Sequence, residues 1–449
     1  MVLQRETLQG VWVSRWTFVA AASGLAIGLG NFWRFPHEVG HYGGLLYILT
    51  YLFFLVTLAM PVMLAEVVMG SRGRANPETA IQFLNLESGS RREWRLSPIL
   101  AMVTGLLILV HMSVIAGWIL SYAYYLSDNK LGAISIEFAG EYFAGYIQSR
   151  EEMLKGFTGF MIILLPLAML RMTVATGQLL RLLVPIILIA LLGMAYAASQ
   201  MGNFPAGLSW MLAVRPEDFG RDAIVSALGQ AFYSLGIGVG AMMIYGAYFP
   251  DGRSISRQVG AVAAIDTVVA LVAGISIYAL VLDYNIEPGN SVPLLFISLP
   301  YVFGNLPFGD LLGGGFFVLL GLVMLCSALA LLEPSLAWLV EKSPLPRWFA
   351  AVLLVVGVWL AGVWVIEDVA APGPATRLFI LNRVTSELLL PLSALGLALY
   401  AGWVLRDVQA RDELHYCNPR TFWIWRILLR YIAPPAILAV LVLANLPKQ

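Results

Sequence analysis

Residues 15–36 read Arg-Trp-Thr-Phe-Val-Ala-Ala-Ala-Ser-Gly-Leu-Ala-Ile-Gly-Leu-Gly-Asn-Phe-Trp-Arg-Phe-Pro. The stretch is apolar enough for a membrane, but Gly24-Leu-Ala-Ile-Gly-Leu-Gly-Asn31 at its centre is poor helix-forming sequence. A second interruption of the same kind, Ser234-Leu-Gly-Ile-Gly-Val-Gly240, sits near the middle of a later apolar run. Glycine in a membrane helix is more often a packing residue than a functional one, so one GxG decides little. Two clusters decide more. Irregular backbone at membrane depth is tolerated only where it faces protein or a wet cavity. Two interrupted helices at corresponding positions of two five-helix halves therefore point to a central binding site, with freed carbonyls for cations and half-helix N-termini for anions. The bland alternative is a pair of close-packed helix crossings.

Working outward, 59% of the 449 residues are hydrophobic and 12% are charged, more apolar surface than a soluble domain can bury. Runs of the roughly 20 apolar residues that cross a bilayer fall near 14–37, 43–70, 96–126, 157–173, 179–199, 222–249, 258–283, 313–341, 347–367, 377–404 and 422–446. The expectation is an all-α integral membrane protein in the lipid bilayer, with about eleven spans. The first run carries Arg15 and leads into Arg34 with no small-residue cleavage site, so it is expected to stay in the mature protein. Basic residues such as Arg72, Arg74, Arg171, Arg181, Arg253, Lys342 and Arg406 mark alternate connections as cytoplasmic, and the N-terminus with them. The stretch from Asp283 to Asp310 has no Lys or Arg. An odd span count then leaves the C-terminus outside. Short tails and the absence of Asn-x-Ser/Thr sequons favour a prokaryotic cell (inner) membrane.

Other classes find little support. Net charge is zero and there is no basic run for nucleic acid. Cys326 and Cys417 lie in or near different spans and form no disulfide framework. His37, His41, His111 and His415 sit at scattered depths, and there is no nucleophile elbow or P-loop, so an enzyme is not expected. Ionisable residues inside spans are costly and mark function by default. Arg34, Glu66, Asp266 and Glu333 qualify, with Asn31 as a neutral companion. Glu66 is placed to hydrogen-bond the unwound backbone of the first span, or else simply marks the end of the second. Asp266 lies well inside the seventh span, where a cation is its natural partner.

The run from Arg15 to Pro36 resembles the first helix of the neurotransmitter:sodium symporters, the family with the leucine-transporter fold. Further similarity lies in Pro61 to Gly70, Ser113-Val-Ile-Ala-Gly-Trp118, Gly229-Gln-Ala-Phe-Tyr-Ser-Leu235, Leu295-Phe-Ile-Ser-Leu-Pro300, Glu333-Pro334 and Thr385-Ser-Glu-Leu-Leu-Leu-Pro391. The resemblance implies one transporter domain over 1–449, with inverted five-helix repeats at about 14–199 and 222–404 and an extra helix at about 422–446. It implies alternating access, with the loop around Pro293 to Gly309 as an external lid.

It also implies residue roles. One sodium would be held by Ala26, Asn31, Ser234 and Asp266, all with oxygens suited to a hard cation. A fixed carboxylate there supplies the charge that chloride supplies in animal relatives, so chloride is not expected. A second sodium would use Gly24, Ile27, Val323, Cys326 and Ser327. The family has a Thr-Ser pair where this chain has Cys326-Ser327, and a neutral thiol is a poor sodium ligand. Either the second site is weakened to give one ion, or another oxygen completes it. The solute pocket would be lined by Ala26, Gly28, Leu29, Gly30, Ile108, Met112, Tyr233, Ser234, Gly236, Val239, Ser327 and Leu331. The amides of Leu29 and Gly30 are placed for a carboxylate, which favours a zwitterionic or carboxylate-bearing solute.

Three departures qualify the resemblance. Met112 replaces a tyrosine that binds the solute carboxylate in the family, and a thioether donates no hydrogen bond. Arg34 faces Asn382 instead of an aspartate in the expected outer gate. In the inner gate, Trp12 and Glu341 match, but Gln9 stands at the family's arginine, with Arg5 as a substitute. The expected function is a sodium-coupled symporter for an amino acid or related small carboxylate. The alternative is a sodium-independent uniporter or a transporter-like solute sensor. Oligomeric state is not legible.

Overall fold

The computed structural model describes residues 10–90, 93–284, 291–371, 376–414 and 418–444. Gln9, Arg5, His415 and Cys417 lie outside them. Among the described residues, nine helices are long and apolar enough to cross a membrane: Leu45–Gly73, Leu96–Ser127, Arg150–Met169, Met172–Met201, Ile255–Asp283, Gly309–Lys342, Arg347–Val369, Arg377–Val404 and Pro419–Leu443. These are spans two to five and seven to eleven. Spans one and six are each built from two shorter helices, Arg15–Ala26 with Arg34–His41, and Arg221–Ser234 with Ala241–Ala247. Because the breaks recur five spans apart, an odd number, the two broken spans cross in opposite directions.

The fourth and fifth spans differ from the hydropathy reading. Span four starts at Arg150, where the Ser149 side chain accepts from the Glu152 amide and two glutamates occupy the first turn. A capped, acidic first turn extends the helix beyond its apolar part. Span four ends at Met169, and span five begins at Met172, so the joint is Leu170 and Arg171 and Arg181 lies within span five.

Four of the six widened π turns among the described residues share one physical reason. Those at Leu55–Ala59, Leu294–Ser298, Val384–Leu389 and Leu428–Ile432 are each followed by one residue and then a proline: Pro61, Pro300, Pro391 and Pro434. Proline lacks an N–H and its ring clashes with the carbonyl four residues back. In all four cases that carbonyl lies within the π turn, where the wider turn relieves the clash.

Glycine sets the closest helix approaches. A Cβ at Gly70 would run into the carbonyl of Met243, and one at Gly246 into the carbonyl of Val67. Span two and the inner half of span six therefore touch backbone to backbone. The expected lid loop is helical over Leu294–Asn305. Leu294, Leu295, Phe296, Leu299, Val302 and Phe303 are buried, and the Phe296 ring stacks on Phe143 with centroids 5.3 Å apart. Apolar side chains at helical spacing make this segment a packed plug.

Candidate functional site

The first break begins where the Ile27 N–H returns to Ser23 and the Gly28 N–H turns back on the Ala26 carbonyl at 2.7 Å. Gly28 is extended, a single tight turn covers Leu29–Asn31, and regular helix resumes at Arg34. The second break covers Leu235 to Gly240, between the two helices of span six. There Gly236, Gly238 and Gly240 have φ of 59°, 80° and 78°. That region costs little only for glycine, so the sequence Gly-x-Gly-x-Gly dictates the break.

Two side chains hold the second break open. Glu66 on span two accepts from the Gly238 N–H at 2.7 Å, and Ser393 on span ten donates to the Gly238 carbonyl at 2.5 Å. The Glu66 bond thus goes to the sixth span and not to the first, as the sequence reading had it. Glu66 is fully buried, so it does not mark a span end either. Ser393 carried no signal beyond being a small polar residue in an apolar run.

Between the breaks lies the Asp266 carboxylate, with no exposed surface. Asn31 Nδ2 donates to Oδ1 at 2.7 Å and to the Asp266 carbonyl at 3.2 Å. Ser234 donates to Oδ2, and the Tyr51 hydroxyl donates to Oδ2 at 3.2 Å while meeting Ser234 Oγ at 3.0 Å. Spans one, two, six and seven therefore converge on one carboxylate. A buried charge requires such hydrogen bonds and a counter-charge, and the groups gathered here offer oxygen to a hard cation. Asn31 donates through its nitrogen, which leaves its oxygen for an ion. Tyr51 was not anticipated, although Tyr47 and Tyr51 stand one helical turn apart in an otherwise apolar run.

The chain also brings Gly24 to Cys326 and Ser327. Ser327 Oγ donates to the Gly24 carbonyl at 3.3 Å, and Cys326 packs on Gly24, whose added Cβ would lie 3.1 Å from Cys326 Cβ. Ile27 and Val323 are buried alongside. Carbonyl and hydroxyl oxygens suit sodium at this second location; the thiol does not.

Spans three, six and eight meet at Gly105, where an added Cβ would stand 3.3 Å from the Val239 carbonyl and 3.4 Å from that of Leu331. Met112 and Leu331 pack with Leu109, Phe160 and Met324 around a crevice too narrow for water. His111 takes no part: its Nδ1 faces the Leu107 carbonyl of its own helix at 3.2 Å.

The expected outer pair, Arg34 with Asn382, does not form, and the expected inner partners of Glu341, Gln9 and Arg5, lie outside the described residues. Arg34 lies over the Tyr233 ring, 4.7 Å from its centroid, and 3.9 Å from Glu38. Asn382 is exposed, and its side chain accepts from Ser386 one turn along its own helix at 3.3 Å. On the face carrying Trp12, the one expected to lie inside, the indole donates to the Met172 carbonyl at 3.1 Å. Glu341 accepts from the Asn76 backbone and side chain at 3.0 and 2.6 Å. An ion pair absent from the sequence reading closes this face: Arg347 meets Glu333 at 2.6 Å, and Tyr248 donates to Glu333 at 2.8 Å. Nearby, on the connecting helix Pro77–Ser88, burial pushes the Glu78 carboxyl up. Hydrogen bonds from Trp338 and Arg95 and the Lys342 ammonium outweigh burial and hold it below the ordinary range.

Two helices broken at mid-membrane around a buried, oxygen-rich cluster define a secondary transporter. The sequence matches the model of the sodium:neurotransmitter symporter family over residues 9–133 and 150–448, and the chain belongs to that family of multi-pass, sodium-dependent transporters. It is 29% identical over 442 residues to the uncharacterized sodium-dependent transporter YhdH of Bacillus subtilis, covering 96% of each chain. An uncharacterized sodium-dependent transporter of Haemophilus influenzae is 26% identical over 98% of each chain. The crystal structure of MhsT in complex with L-phenylalanine superposes with a TM-score of 0.88 at 30% identity, over 98% of this chain and 100% of that one.

Proposed function

We propose that the protein couples sodium entry to uptake of an amino acid or a related small carboxylate-bearing solute. The observation that carries this reading is the Asp266 cluster, in which the two breaks supply Asn31 and Ser234 to one buried carboxylate. The likeness to MhsT, whose structure holds L-phenylalanine, supports an amino acid as the solute class. The Leu29 and Gly30 amides at a half-helix start would meet its carboxylate, with Ala26, Gly28, Ile108, Met112, Tyr233, Gly236, Val239, Ser327 and Leu331 around the remainder. Asp266 supplies fixed negative charge, so chloride is not required. One sodium binds at Ala26, Asn31, Ser234 and Asp266; Cys326 leaves the second location the weaker.

Uptake of labelled L-phenylalanine, and then of a panel of amino acids and betaines, into proteoliposomes tests this. A sodium gradient should drive accumulation that a potassium gradient does not, and replacing chloride by gluconate should leave it intact. Equal uptake with and without sodium would favour the sodium-independent uniporter, which Met112, Cys326 and the absent Arg34–Asn382 pair also favour.

A further inference from the structure

We propose that the Tyr233 hydroxyl, donated to the Ser386 carbonyl, is the latch that closes the outer face, with the Arg34 guanidinium held against the Tyr233 ring and Asn382 taking no part. The proposal rests on the transport reading above. Tyr233 belongs to the outer half of span six and Ser386 to span ten, so this hydrogen bond crosses from a broken span to an unbroken one. The neighbouring contacts stay among spans one, two and six. Glu38 accepts from Ser226, and Ser226 meets the Tyr47 hydroxyl at 3.2 Å. They tie the outer halves of the broken spans to span two and let them move together.

Position in the chain couples the latch to the ion site. Tyr233 immediately precedes Ser234, which donates to Asp266, and the second break opens directly after them. A displacement that seats Ser234 on the carboxylate therefore carries the Tyr233 hydroxyl toward span ten. Asn382 bonds within its own helix and bridges to no other span among the described residues. A neutral hydroxyl-to-carbonyl bond changes an open-to-closed ratio by roughly two- to tenfold, a latch weak enough to release in every cycle.

The test uses Met112→Cys as a reporter in the proposed pocket, labelled from outside by a membrane-impermeant thiol reagent, with the unmodified chain as background. Tyr233→Phe keeps the ring and the Arg34 contact but removes the hydroxyl. It should raise the labelling rate roughly two- to tenfold, and Tyr233→Ala should raise it further. Asn382→Ala should leave the rate unchanged. Labelling of Tyr233→Phe at the parent rate, or an equal rise with Asn382→Ala, overturns the proposal. The measurement needs neither sodium nor solute, so it stands apart from any failure of the transport reading.

Discussion

At the scale of single residues, Asp266 organises the site. Deleting its carboxylate takes away the acceptor that Asn31, Ser234 and Tyr51 share and removes the fixed charge, and hydrogen bonds to charged groups are worth about 1.5–3 kcal/mol. Asp266→Ala should weaken sodium-driven uptake by roughly ten- to hundredfold in sodium affinity, and Asn31→Ala should weaken it less. Sodium titrations of uptake that match the parent protein in both variants would remove these residues from the ion site. Cys326→Thr puts a hydroxyl where the thiol now lies against Gly24. The half-saturating sodium concentration should fall several-fold, and no change would mean that Cys326 does not face an ion. Asn31, Ser234 and Asp266 were legible because glycine clusters or an apolar span drew attention to each. Tyr51 and Ser393 were not, since one Tyr or Ser in an apolar helix looks the same whether it faces lipid, core or a carboxylate.

At the scale of elements, the sequence displayed both breaks, because clustered glycines are poor helix formers and Gly236, Gly238 and Gly240 of the second take positive φ, which no regular helix permits. It hid the joint between spans four and five, where a capped polar turn belongs to the helix but not to the apolar run. It also hid the π turns, although four of them are announced by a proline two residues past their end. Contact between span two and the inner half of span six depends on the absence of a Cβ at Gly70 and Gly246. Gly246→Ala should cost about 1–3 kcal/mol by overpacking, read as a lowered thermal midpoint in detergent. Gly357→Ala on span nine, where an added Cβ meets nothing within 4 Å, should hold or raise it, since alanine favours helix. Equal loss in both would refute the packing argument.

At the scale of the whole molecule, the eleven spans among the described residues leave Arg15 and Leu443 on opposite sides. From the basic residues in alternate connections we propose an N-terminus on the inside; a protease added outside intact cells should then remove a C-terminal tag and spare an N-terminal one. Closure of the inner face was legible only in part. Trp12, Glu333 and Glu341 could be named from the sequence, but partners more than a hundred residues away, such as Met172 for Trp12 and Asn76 for Glu341, are set by how the spans pack. The Asp266 carboxylate carries one more consequence, for the electrical behaviour of the cycle. On the proposed reading of one sodium and a zwitterionic solute, the fixed negative charge makes the loaded carrier electrically silent and the empty carrier, with an ionised carboxylate, anionic. A negative-inside voltage then pushes on the return stroke, with up to about 2.3 kcal/mol per charge for each 100 mV. Imposed potassium diffusion potentials should therefore accelerate net uptake while leaving solute exchange, which never needs the empty return, nearly insensitive to voltage.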